Sequence, residues 1–85
     1  MRHATTGTLD ALEPLLVRLR DLPGLTERRR GVFYRRSRAF LHFHEDPSGP
    51  YADVRFGDEF ERLRVATPAE RDALVARVAA GIGWP

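Results

Sequence analysis

Residues 39–56 read AFLHFHEDPSGPYADVRF. Apolar and polar residues alternate on both sides of a central break, the period of a strand with one buried face. The break, Asp46-Pro47-Ser48-Gly49, has Asp first, Pro second and Gly fourth, as a type I turn prefers. A four-residue loop there sets Glu45 opposite Pro50. Phe43 then faces Ala52, Leu41 faces Val54 and Ala39 faces Phe56, so every pair on that face is apolar. A slip of one residue would set His42 and His44 against Val54 and Ala52 instead, so the pattern selects the first register.

Further strands are expected at residues 31–36 and 60–66, extending the hairpin of 38–45 and 51–56 into a four-stranded antiparallel meander. A two-residue turn at Asp58-Glu59 would pair Val54 with Leu63 and Ala52 with Val65. The flanks have helical periodicity. Leu9, Leu12, Leu15, Leu16, Leu19 and Leu22 form one stripe. Asp10 as cap, Glu13 three positions on and a terminating Pro23-Gly24 predict a helix over 10–22. Thr67-Pro68-Ala69-Glu70 opens the second helix, with Leu74, Val75, Val78 and Ile82 as its buried stripe. Gly81 and Gly83 end it, and Trp84 is expected to pack back onto the body. Two apolar stripes and one apolar sheet face predict an α+β two-layer sandwich, helix–four strands–helix, with both helices on one face. Residues 1–8 read as a flexible N-terminal arm and 9–85 as a single domain.

The chain of 85 residues has no cysteine, which excludes disulfides, thiolate catalysis and Cys-based zinc sites. No apolar run reaches the ~20 residues of a membrane helix. The start lacks a signal peptide's apolar stretch, so a cytoplasmic protein is expected. All 14 basic residues are Arg, Lys, Asn and Gln are absent, and the one Ile is at position 82. A GC-rich genome accounts for this bias, so Arg abundance says little about function. Arg placement says more. Residues 28–38 carry six Arg and no acid, a local +6, while the rest carries −4.

That basic hairpin offers Arg28, Arg29, Arg30, Arg35, Arg36 and Arg38, interleaved with Phe33 and Tyr34. Guanidinium groups suit phosphate and the rings suit base stacking, so nucleic acid or another polyanion is the first expected partner. An acidic protein is the alternative, because Arg forks also bind carboxylates. The opposite sheet face would carry Phe40, His42, His44, Tyr51, Asp53, Arg55, Arg62 and Arg64. His42 lies across from Asp53 and His44 from Tyr51, and the Asp58-Glu59 turn sets Arg64 beside Asp53. His42, His44 and Asp53 form a partial ligand set for zinc, nickel or iron. The same face also reads as a solvated His–Asp–Arg network or an acid–base pair. No nucleophile motif accompanies it, so a binding domain without cofactor is expected rather than an enzyme. Phe40 and Tyr51 on an uncovered face would favour homodimerisation, as would an exposed edge.

Two resemblances bear on residues 20–56. Leu22-Pro23-Gly24-Leu25 followed by Phe33-Tyr34-Arg35-Arg36-Ser37-Arg38-Ala39-Phe40 resembles the opening of the bacterial YjbR/MmcQ-like family. His42-Phe43-His44-Glu45-Asp46 with Ala52-Asp53-Val54-Arg55-Phe56 is similar to a bacterial family named for a luciferase domain. The first resemblance implies a compact α/β fold and a DNA-binding label. The second implies that His42, His44 and Asp53 are the positions to probe. Neither carries over an activity.

Overall fold

Leu12, Leu15, Leu16 and Leu19 on the N-terminal helices, Leu74 and Val78 on the C-terminal one, and Leu41, Phe43, Ala52 and Val54 on the sheet close into one buried cluster. The computed structural model describes residues 1–83. Trp84 lies outside the described residues. The order is β1 (Arg2–His3), α1 (Thr6–Ala11), α2 (Glu13–Arg20), β2 (Thr26–Arg29), β3 (Val32–Arg35), β4 (Arg38–Asp46), β5 (Gly49–Arg55), β6 (Phe60–Arg64) and α3 (Pro68–Gly81). Strands β2 to β6 form an antiparallel meander and β1 adds to β4. The result is an open α+β sheet with helices packed on one face.

Two strands lie outside the expected four. β2 is a polar edge strand, Thr-Glu-Arg-Arg, whose exposed side chains give no alternation to read. β1 falls in the expected flexible arm. Arg2 pairs with Glu45 and His3 with His44, so these two residues extend the sheet instead.

The expected helix over 10–22 is two helices. Thr5 caps α1, its hydroxyl accepting from the Thr8 N–H. Asp10 is therefore inside a helix, not at its start, and binds Arg30. Pro14 forces the break: it has no N–H to continue the ladder, and its ring would crowd the carbonyl of Asp10. α2 restarts with Pro14 in its first turn. α3 has the capping box of Thr67 and Glu70 in full.

The β4–β5 register is the expected one, from Leu41↔Val54 to Asp46↔Gly49. The ladder stops at Leu41, so the Ala39–Phe56 pair does not form. Between β3 and β4, Phe33 pairs with Leu41 but Tyr34 with Ala39, leaving Phe40 as a bulge. Phe40 consequently joins the core at 4% exposure, its ring edge-on to Phe56, rather than standing on the open face. The reason for expecting Phe40 to drive dimerisation falls with that placement.

The β5–β6 register is two residues from the expected one. Ala52 pairs with Leu63 and Val54 with Glu61. A shift of two keeps each side chain on its face, so alternation alone cannot choose between these registers. Two contacts favour the observed one. Arg55 packs over the Phe60 ring, and Arg62, not Arg64, faces Asp53.

The β3–β4 turn places Arg36 (φ 52) and Ser37 (φ 66) both in the left-handed region. This is the primed two-residue turn that favours Asn-Gly, and each ordinary L-residue there costs about 1 kcal/mol. Arg36→Asn with Ser37→Gly is expected to stabilise the protein by about 1 kcal/mol, read as a higher urea midpoint at constant m-value.

Candidate metal centre

His42 and His44 are two apart on β4, so both rings stand on the face away from the helices. Asp53 lies opposite His42 on β5, and Arg62 lies opposite Asp53 on β6. His42 Nε2 is 3.5 Å and His44 Nε2 3.2 Å from Asp53 Oδ2. Arg62 grips the carboxylate at two points, Nε to Oδ1 at 2.8 Å and Nη2 to Oδ2 at 3.0 Å. Asp53 is only 7% exposed, the one buried charged residue of the described core.

β1 brings a third imidazole. His3 stacks on His44 with ring centroids 4.8 Å apart, and His42 is 4.8 Å from His44 and 6.2 Å from His3. The Phe60 ring meets His42 edge-on at 5.2 Å. A groove of about 500 Å³ opens beside His3 and His42, with Arg29, Gly31 and Val32 along its wall.

Burial pushes the imidazoles of His42 and His44 below their ordinary 6.5, and for His42 the neighbouring His44 adds to this. Both rings are therefore neutral at pH 7. The Arg62 guanidinium holds Asp53 below the usual carboxylate range. Neutral imidazoles with an ionised carboxylate are the protonation states of metal ligands. No hydrogen bond of good geometry reaches either His44 ring nitrogen, both of them buried; the polar groups nearby are the Asp53 carboxylate and the Arg2 backbone. Nε2 approaches Asp53 without hydrogen-bond geometry.

The other expected site residues are dispersed. The Tyr51 hydroxyl bonds Ser48 at 2.8 Å, over the β4–β5 turn. Arg64 faces Tyr51 and reaches Glu70, so its expected place beside Asp53 belongs to Arg62. The basic hairpin does not form one surface. Phe33 is 1% exposed in the core. Tyr34 lies under the Arg28 guanidinium at 4.3 Å. Arg30 is held by Asp10 and Glu13. Phe33 thus offers no face to a base, and one face of Tyr34 is already taken. Sequence reasoning set His3 aside with the arm, because a two-residue strand leaves no pattern.

Glu45 fixes β1 beside the cluster. It accepts the Thr5 N–H at 2.6 Å and pairs with Arg2 at 3.2 Å. The Thr5 N–H, then the Thr8 hydroxyl, lower its carboxyl to about 2 from the ordinary 4.5. A depressed carboxyl stabilises the fold fully above its unfolded value, and that contribution is lost as pH falls through the folded value. The attachment of residues 2–5 is expected to hold from neutral pH to about 4.5 and to loosen toward 2. Glu45→Gln should loosen it already at neutral pH. Amide exchange of Ala4 and Thr5 against pH checks both.

No family model, curated protein or solved structure matches this chain.

Proposed function

We propose that the protein binds a divalent transition-metal ion through His42, His44 and Asp53. The observation that carries this is His44, with two buried ring nitrogens lacking hydrogen bonds beside a buried carboxylate. The ligand spacing supports it. A tetrahedral ion at about 2.0–2.1 Å from each ligand requires ligands about 3.3 Å apart. The two His–Asp separations, 3.5 and 3.2 Å, fall on that value. All three ligand atoms lie within 4.8 Å of one another, so the two imidazoles close toward each other on binding.

Nitrogen and oxygen donors without sulfur suit zinc, nickel, copper or iron rather than magnesium or calcium. Arg62 orients the carboxylate and keeps it ionised, as outer-shell partners of metal ligands do. His3 stacks on His44 but lies outside this three-residue ligand set.

Cobalt(II) added to tag-free protein tests the reading. Visible d–d absorption saturating at one ion per chain is expected, with displacement by zinc. His42→Ala should abolish the absorption, while Tyr51→Phe, outside the ligand set, should keep it. An unchanged spectrum, together with no rise in thermal midpoint on adding zinc, would overturn the reading.

A further inference from the structure

All fourteen arginines lie in the described residues. Seven of them meet a carboxylate: Arg2, Arg18, Arg20, Arg30, Arg62, Arg64 and Arg77. Of the other seven, four surround one cleft. Arg35, Arg36 and Arg38 come from the β3–β4 turn and Arg55 from the end of β5, with Phe56 and Gly57 in the wall. None of the four has a carboxylate partner among the described residues. Their anchors are neutral. Arg35 donates to the Gly81 carbonyl, and Arg55 donates to the Ala39 carbonyl while lying over the Phe60 ring.

We infer that this cleft binds a phosphoryl group. Four arginines line it without a carboxylate to neutralise them, while half of the chain's arginines are ion-paired, and forked donors match tetrahedral oxyanions. The cleft holds about 140 Å³, several times the ~30 Å³ share of one water. That is room for a phosphate. Phe40 is buried, and the Arg77 guanidinium covers Phe56 at 4.7 Å. The arginines recognise the phosphate, supplied by a small phosphorylated molecule or by a phosphodiester backbone. None of these four arginines belongs to the histidine cluster, so the inference stands apart from the metal reading.

The test is an NMR titration with pyrophosphate, followed through the Nε–Hε signals of the arginines. Shifts concentrated at Arg35, Arg36, Arg38 and Arg55, weakening with salt, are expected. Arg36 and Arg38 are exposed, so Arg36→Gln with Arg38→Gln should leave the fold intact, and it should weaken binding by about tenfold or more. A short DNA duplex forms the second arm. If it displaces pyrophosphate at lower concentration, with the salt slope of several phosphate contacts, the source is a backbone. If only pyrophosphate binds, the source is a small molecule. Shifts centred on Arg28–Arg30, no shift at low salt for either probe, or full affinity in the double variant would overturn the inference.

Discussion

Replacing His44 with leucine is expected to abolish metal binding and yet to raise the stability of the metal-free protein by about 1 kcal/mol. The two effects share one cause. Both His44 ring nitrogens are buried without hydrogen bonds, so the metal-free fold carries their desolvation cost. An unsatisfied buried polar group costs about 1–3 kcal/mol, and an apolar side chain in its place removes that cost. The leucine lacks the lone pair an ion requires, so affinity should fall by more than the 10–100-fold typical of an outer-shell partner. Urea unfolding in chelator measures the first effect, and zinc competition with a chromophoric chelator measures the second. Opposite signs are the signature of a residue kept for binding at some cost to the fold. A destabilised variant that still binds zinc would make His44 a packing residue instead.

Phe33→Ala is the second large effect. Phe33 is 1% exposed on β3, opposite Leu41 and Glu27, in the centre of the core. Truncating a buried phenylalanine costs about 3–5 kcal/mol. A chain of this length has on the order of 4–13 kcal/mol in total, at about 0.05–0.15 per residue. The variant is therefore expected to sit near or below half-folded under mild denaturant, measured by circular dichroism against urea. Phe33→Leu keeps most of the volume and should cost far less. The leucine variant also tests an expectation drawn from sequence. If Phe33 stacked on nucleic acid, Phe33→Leu would weaken DNA binding. Its burial predicts unchanged affinity.

These two residues mark what the sequence made legible. His42, His44 and Asp53 could be grouped because a turn with strong residue preferences fixed one hairpin, and the hairpin fixed which side chains share a face. Arg62 could not be told from Arg64. Registers two apart preserve every face, and individual contacts choose between them, the fit of the Arg62 guanidinium to the Asp53 carboxylate and of Arg55 to the Phe60 ring. Phe40 was misplaced for a related reason. A bulge inserts one residue without changing composition, so strict alternation put the ring on the wrong side. The run of arginines was visible as charge but not as surface. The partners of Arg30, Asp10 and Glu13, come from helices that no local pattern connects to the hairpin. His3 depended on a contact 41 residues away in sequence, made by a strand too short to have a period.

That short strand also has a consequence for how the molecule behaves in company. β5 covers one side of β4, while β3 covers the other only as far as Leu41. Beyond Leu41, Arg2 and His3 occupy what would otherwise be bare backbone beside His44 and Glu45. Unpaired peptide groups along a strand are a template for another chain to dock and propagate. A two-residue segment thus acts as a plug. Chains trimmed past His3 would expose an adhesive stretch of β4 in every copy, and the first sign would be concentration-dependent self-association rather than unfolding.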